Sequence, residues 1–426
     1  MNPEHGVFLD TLFPSPADLP GIPTALFPHL LRGVRGELAP LATLLHRLGD
    51  PHLGLRVVLV GGTNGKGSTT SFLADLCRAS GWKTGLFQSP SPSTFAEHMF
   101  LNGQPPSPRV LDVLAGECLP HVTEPLTSFE WATALALRWF YLEGAEVVVM
   151  EVGMGGRDDA TNLTRPCLSI ITNVDLDHTR VLGATVEEIT AVKMGICRPG
   201  IPLLTAARGD VVAQMEVEAR HLRSPFRVLG RDFFGEGTWR DACFRQGSRW
   251  LGPVTLGLRG DHQVANAALA VAAAWELGLD LTAEVGGVLA STWLPGRLEY
   301  LEGPGVWLDG AHNPAGARIL AEALRREVGP RIHVVLGAYR DKDVGGMGEA
   351  LAGIAADFTA VGISTPRGLS APEVVAHLEG RVGDVPVGQA SSVDEALERI
   401  RDQLPVVITG SLSWIQHTRR LVKGDR

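Results

Sequence analysis

Short runs of apolar, β-branched residues alternate with segments of helical periodicity through most of the chain. Val57-Val58-Leu59-Val60 has no polar break and leads into a glycine-rich loop. Beyond that loop Phe72, Leu73, Leu76 and Ala79 recur at the spacing of one helical face, and Gly81 supplies the stop. Further strands are predicted over Thr84–Phe87, Val147–Met150 and Leu168–Thr172, and an alanine-rich helix over Val264–Leu277. Strands that are apolar throughout, with helices between them, imply a parallel sheet covered on both faces. The pattern breaks at Leu294-Pro295-Gly296-Arg297, where proline and glycine together cannot continue a helix. It restarts with a strand over Val306–Leu308, a helix over Ala315–Arg326, and strands over Val334–Leu336, Phe358–Val361 and Val406–Ile408. The proline-rich segment before about residue 30 reads as an irregular extension.

Length agrees with this division, since 426 residues exceed what one hydrophobic core usually organises. A chain that is 45% hydrophobic and 20% charged is an ordinary globular one. Its formal charge of −9 argues against a nucleic acid or a membrane surface as an electrostatic partner, while leaving room for a local basic pocket. Cys77, Cys118, Cys167, Cys197 and Cys243 are scattered and form no CxxC pair, which suits a reducing cytosol and neither a zinc site nor a disulfide framework. The first twenty residues carry Glu4, Asp10 and Asp18 and no basic-then-apolar run, so no signal peptide is expected. No stretch approaches the roughly 20 apolar residues of a membrane span. The expectation is a cytoplasmic monomer whose partners are small molecules.

The chemistry starts at the first loop. Gly61 to Ser68 supplies glycines that let backbone N–H groups converge on phosphate oxygens, a following helix N-terminus, and one lysine. It departs from the general P-loop pattern at Val60, where that pattern has its first glycine, and at Gly67, which separates Lys66 from Ser68. The alternative is a glycine turn whose lysine faces water; the strand–loop–helix context favours phosphate. The fold class is then α/β: an N-terminal P-loop-type, mostly parallel sheet domain over residues 1–296, and a smaller Rossmann-like α/β domain over 297–426. In such sheets ligands bind at the carboxyl ends of the strands. Ser89, Glu151 and His178 sit there, with Asp175 and Asp177 beside the last, and oxygen donors at strand ends suit Mg²⁺ on a polyphosphate.

Leu44-Leu45-His46-Arg47-Leu48-Gly49-Asp50-Pro51-His52, followed by Gly62-Thr63-Asn64-Gly65-Lys66-Gly67-Ser68, resembles the folylpolyglutamate synthase/dihydrofolate synthase family, which is related to the Mur ligases. The likeness runs in order from about residue 40 to about 345 and weakens in the last eighty. It implies an ATP-dependent ligase that activates a carboxylate as an acyl phosphate and joins it to L-glutamate. ATP and two magnesium ions are then implied, with dihydropteroate or a folate as acceptor. Thr63, Asn64, Gly65, Lys66, Gly67 and Ser68 would hold ATP phosphates. Asn266, in Asp261-His262-Gln263-Val264-Ala265-Asn266, is similar to an adenine contact, although an Asn near a helix start also serves as a cap. Arg297, Asp309 and His312 are similar to residues that reach ATP from the second domain, and a hinge arginine can equally be an ion pair.

Glu151-Val152-Gly153-Met154-Gly155-Gly156-Arg157-Asp158-Asp159-Ala160 looks like the family's most specific segment. By that resemblance Glu151 and Ser89 hold one magnesium and His178 a second. Taken alone, Glu151 could be a helix cap or ion pair, and His178 a loop residue. Thr127, Phe129 and Glu130, with Asp158, Asp159 and Ala160, look like dihydropteroate-binding segments. On local grounds Thr127 and Glu130 also form a capping box. His312 and Ser411 are candidates for glutamate. Lys193, in Val192-Lys193-Met194-Gly195, resembles a lysine carbamylated by CO₂; N6-carboxylysine would turn a cation beside two magnesium ions into an oxygen ligand. A lysine pairing with phosphate or an acidic neighbour is the alternative. Lys66, Glu151, His178 and Lys193 are thus the candidate catalytic residues.

Two departures stand out: Ser91 and Pro92 where the family has His and Leu, and Glu97-His98-Met99 where it has Glu-Arg-Ile. A Mur-type amino-acid ligase and a regulatory P-loop NTPase are the rival expectations. Gly67 and Leu48-Gly49-Asp50-Pro51 weigh against the first, and the two-ion constellation with a second α/β domain against the other.

Overall fold

The computed structural model describes residues 20–31, 37–89, 94–303, 305–400 and 403–423. Ser91, Pro92 and the acidic N-terminal residues lie outside them. The chain forms two compact units, residues 1–257 with 263–293, and residues 258–262 with 294–426.

The first unit is built on a seven-stranded sheet. The strands of that sheet and the helices that bear on the site are, in chain order, β1 (Val57–Gly61), α1 (Lys66–Ala79), β2 (Thr84–Phe87), β3 (Met99–Leu101), α2 (Ser128–Leu142), β4 (Val147–Glu151), β5 (Pro166–Ile171), α3 (Val186–Met194), β6 (Leu203–Thr205) and β7 (Phe226–Val228). The strand order is β3-β2-β4-β1-β5-β6-β7, and only the edge strand β3 runs antiparallel, against β2. Val57–Val60 and Val147–Met150 are fully buried, which is why these strands carry no polar alternation. Leu59, Phe87, Trp131, Val148 and Ile171 lie in one apolar core with Leu26, Leu41 and Leu45. Helix α1 buries Phe72, Leu73 and Leu76 as the periodicity expects, but Ala79, in its last turn, is exposed.

Beyond short strands and helices that the apolar runs did not mark, such as β3, β7 and the strand Val387–Ala390, two features depart most from the sequence expectation. Residues 24–31 are not irregular: Thr24–His29 forms a 3₁₀ turn and Leu30–Leu31 pairs in parallel with Leu126–Thr127, burying Leu26. A three-stranded antiparallel sheet, β8 (Phe234–Glu236), β9 (Ala242–Gln246) and β10 (Arg249–Val254), lies where no element is predicted. It abuts the alanine-rich helix α4 (His262–Glu276), because a Cβ on Gly235 would come within 2.8 Å of Ala268.

In the second unit β11 (Glu299–Leu301) is antiparallel to β12 (Val306–Asp309), and every other strand pairing is parallel. The remaining elements are α5 (Pro314–Glu327), β13 (Ile332–Leu336), α6 (Val344–Ala352), β14 (Ala355–Val361), α7 (Ala371–Leu378), β15 (Val387–Ala390), α8 (Val393–Arg399), β16 (Val406–Thr409) and α9 (Leu412–Lys423). The strand order is β11-β12-β16-β13-β14-β15. Residues 258–262 belong here: Arg259 lies over the Tyr300 and Trp307 rings at 6.0 and 5.5 Å, and Asp261 pairs with Arg326 at 2.5 Å. No helix among the described residues is long and apolar enough to cross a membrane.

Candidate active site

Register brings the candidates of the first unit to one edge. Val60 lies level with Glu151, Gly61 with Ile171 and Phe87 with Met150. The loop after β1, Ser89 after β2, Glu151 ending β4 and the segment after β5 therefore emerge side by side.

The loop is held from the β5 side. Thr63 N donates to Asn173 O at 2.9 Å, Asn64 N donates to Asn173 Oδ1 at 2.9 Å, and Thr172 Oγ1 donates to Asn64 O at 2.6 Å. Gly65 caps α1 at φ +83°, and a Cβ there would stand 2.3 Å from Asn266 Oδ1. Both facts demand glycine. No side chain caps α1 and its first turn holds no acidic residue, so its leading N–H groups and positive dipole end suit an anion. Lys66 Nζ folds back to donate to Thr63 O at 3.2 Å. Thr69 Oγ1 is buried without a hydrogen-bond partner, a polar atom that the sequence motif did not single out. Asn266 also donates through Nδ2 to Gln263 Oε1 at 2.8 Å, which holds its side chain while Oδ1 faces Gly65.

Lys193 is buried at the end of α3 and donates to Gly62 O at 2.9 Å. Its pKa is pushed down to about 7, by burial first and then by the nearby Lys66, against the pull of Asp177 and Asp159. Gly156 makes this approach possible, since a Cβ there would meet Lys193 O at 2.8 Å. Glu151, 3% exposed, accepts from Ser89 N at 3.2 Å. His178 caps a short helix in the left-handed region, φ 48°, with Nε2 4.0 Å from Asp177 Oδ2.

The donor chemistry decides what metal these residues suit. Among the described residues no group of three or more His, Cys, Asp or Glu side chains could hold a metal by itself. One buried carboxylate with a neighbouring serine suits Mg²⁺ that arrives on a polyphosphate, because that ion keeps waters and phosphate oxygens and needs few protein ligands.

The segments predicted to bind pterin are largely self-satisfied. Thr127 Oγ1 accepts from Glu130 N at 3.1 Å while Glu130 Oε2 accepts from Thr127 N at 2.7 Å, a complete capping box on α2. Asp159 spends both oxygens on Met154 N, Thr161 N and Thr161 Oγ1, and burial raises its pKa. Ala160 is buried beside it, whereas Asp158 is exposed. Phe129 joins an aromatic cluster with Phe87 at 5.6 Å and His98 at 6.3 Å, and a Cβ on Gly153 would lie 2.7 Å from its ring.

In the second unit Asp309 lies level with Thr409, so it and Ser411 leave adjacent strands at the same edge. Asp309 accepts from Leu298 N at 2.8 Å and Ala311 N at 2.9 Å; burial raises its pKa, opposed chiefly by Arg297. His312 donates from Nδ1 to Gly310 O at 2.9 Å. Ser411 is linked through Ser413 Oγ (3.2 Å) to Tyr339 Oη (3.0 Å), beside the Arg367–Asp341 ion pair at 2.8 Å. Lone tyrosine, serine and arginine positions gave no sequence signal for that network.

The chain matches the Mur ligase middle domain over residues 60–206 and the Mur ligase glutamate ligase domain over 296–412. It is 32% identical over 430 aligned positions to the dihydrofolate synthase/folylpolyglutamate synthase of Bacillus subtilis, covering 92% of this chain and 96% of that protein. The chain belongs to the dihydrofolate synthase/folylpolyglutamate synthase family. Solved structures of this family agree with its fold: FolC of Escherichia coli in complex with DHPP and ADP superposes with a TM-score of 0.85 at 28% identity, covering 95% of this chain and 97% of that one. A bifunctional folylpolyglutamate synthase/dihydrofolate synthase with Mn, AMPPNP and L-glutamate bound gives 0.84 at 28% identity, covering 95% and 100%. The Glu97-His98-Met99 segment falls on described residues, with His98 buried in the Phe129 cluster.

Proposed function

We propose that the chain joins L-glutamate to dihydropteroate, to a folate, or to both, at the expense of ATP. The observation that carries this is the uncapped, acid-free α1 N-terminus behind Gly65, with Lys66 at its start and buried Lys193 reaching from α3 to Gly62 O of the loop. A substrate carboxylate oxygen attacks the γ-phosphorus and ADP leaves. The glutamate amine then attacks the acyl carbon and phosphate departs with that oxygen. Lys66 and the α1 amides offset the charge that repels a carboxylate from a polyanion. Magnesium, when bound with the nucleotide, would neutralise phosphate charge, with Ser89 and Glu151 as ligands for one ion and His178 for a second.

Phe129 offers the ring face against which a pterin stacks, and exposed Asp158 the carboxylate that accepts from its N–H donors. Thr127, Glu130, Asp159 and Ala160 hold the backbone around them. Residues 1–296 form the ATP-binding part and 297–426 the glutamate-ligase part, where Arg297, Asp309 and His312 serve ATP and His312 with Ser411 serves glutamate. The protein works in the cytoplasm as a monomer. Lys193, held near neutrality, is the residue whose unprotonated amine can take up CO₂, losing one proton to become a carbamate with oxygen donors. Phosphate release tests the reading: it should stay low with ATP and Mg²⁺ and rise only when a pterin carboxylate and glutamate are both present. Release indifferent to the two would indicate a nucleotide switch instead.

A further inference from the structure

His98 and Gln88 exchange two hydrogen bonds. Gln88 N donates to His98 O at 2.9 Å, and His98 Nδ1 lies 2.8 Å from Gln88 O. A carbonyl can only accept, so the proton is on Nδ1 and the tautomer is fixed. The ring is buried, stacked on Phe87 at 5.9 Å with 23° between planes, and edge-on to Phe95 at 5.9 Å. Burial pushes its pKa down to about 4, so the imidazole stays neutral.

Gln88 O and Ser89 N belong to one planar peptide group, in which they point in opposite directions. Ser89 N is the donor to Glu151 Oε2 at 3.2 Å. One peptide is therefore pinned at both ends, by an imidazole on its oxygen and by the candidate metal-binding carboxylate on its N–H. The Gln88 side chain fixes the same residue from a third direction, donating to Ser71 Oγ at 2.8 Å and Gly67 O at 3.4 Å on α1.

We propose that His98 is a positioning residue for metal–nucleotide binding, which orients the Gln88–Ser89 peptide so that its N–H aims the Glu151 carboxylate. The sequence marked this histidine only as a departure, and its hydrogen bonds go to Gln88 rather than to the phosphate loop or the carboxylate. Its action runs through the peptide dipole, since a hydrogen bond to the carbonyl polarises the N–H on the other side. The inference rests on Glu151 being a metal ligand.

The test uses the full-length protein with a non-hydrolysable ATP analogue, titrated with Mn²⁺ and followed by electron paramagnetic resonance. His98→Phe keeps a ring and removes the donor; His98→Asn keeps a donor near the Nδ1 position and removes the ring. Loss of an outer hydrogen bond to a metal ligand is expected to weaken Mn²⁺ binding about tenfold in His98→Phe, with His98→Asn within about twofold of wild type. His98→Met, which fills apolar space without a donor, replaces His98→Phe if that variant does not fold. Wild-type affinity in the donor-free variant, or equal losses in both variants, would overturn the proposal. Glu151→Gln separates the two layers. If it too binds Mn²⁺ like wild type, the ligand assignment itself falls; if it weakens binding while His98→Phe does not, only the role of His98 falls.

Discussion

The phosphate loop and the Thr127–Glu130 and Asp158–Ala160 segments lie in the same unit and are all rich in polar residues, yet they use them in opposite ways. At the loop's end the first N–H groups of α1 are left available, with no side chain capping the helix and a glycine where Asn266 presses in. In the other segments the polar side chains are consumed by their own backbone, Thr127 and Glu130 by each other and Asp159 by Met154 and Thr161. A polar residue in a family motif can therefore be a builder of the turn and need not be a ligand of the substrate. Hydrogen bonds already satisfied inside the protein separate the two.

The contrast can be broken hardest at Lys66. Lys66→Ala should lower kcat by about 10²–10³-fold, as for loss of one preorganised charge-stabilising donor, with an unchanged thermal midpoint. Near-normal turnover would remove the loop from the chemistry. Gly65→Ala comes next. It adds a Cβ at φ +83°, 2.3 Å from Asn266 Oδ1, so ATP affinity should fall by about 1–3 kcal/mol. Adding Asn266→Ala should recover part of that loss; no recovery would show that backbone conformation alone is at stake. The smallest effect is expected at the capping box. Thr127→Ala should cost about 1 kcal/mol of stability, and Glu130→Gln, which keeps the box, only a few tenths, both with an unchanged KM for the pterin. A raised pterin KM at undiminished stability would move these residues from scaffold to recognition.

The central strands of both sheets were legible because most are continuous apolar runs, and the loop because glycine, lysine and a following helix occur together; the short edge strands, such as Glu299–Leu301 and Val387–Ala390, carry polar residues and gave no such run. The β8–β10 sheet was not, because its stability comes from partners that local pattern does not reveal. Arg245 lies over Phe234 at 4.1 Å, and Gly235 abuts α4 about thirty residues on. Residues 258–262 likewise join the second unit through Tyr300, Trp307 and Arg326, all distant in sequence. His98 was visible only as a residue out of place, since its partner is a backbone carbonyl and any residue at position 88 would supply one. Lys193 stood in a recognisable motif, but its depressed pKa arises from burial and from Lys66, which fold brings close across more than a hundred residues.

Acyl-phosphate chemistry on the phosphate loop is tested most directly by following an oxygen atom. Dihydropteroate or tetrahydrofolate labelled with ¹⁸O in the reacting carboxylate is turned over with ATP, Mg²⁺ and L-glutamate, and the inorganic phosphate is analysed by mass. Attack of the carboxylate on the γ-phosphorus should deliver one labelled oxygen to phosphate for each amide formed. Amide formation with unlabelled phosphate would contradict it.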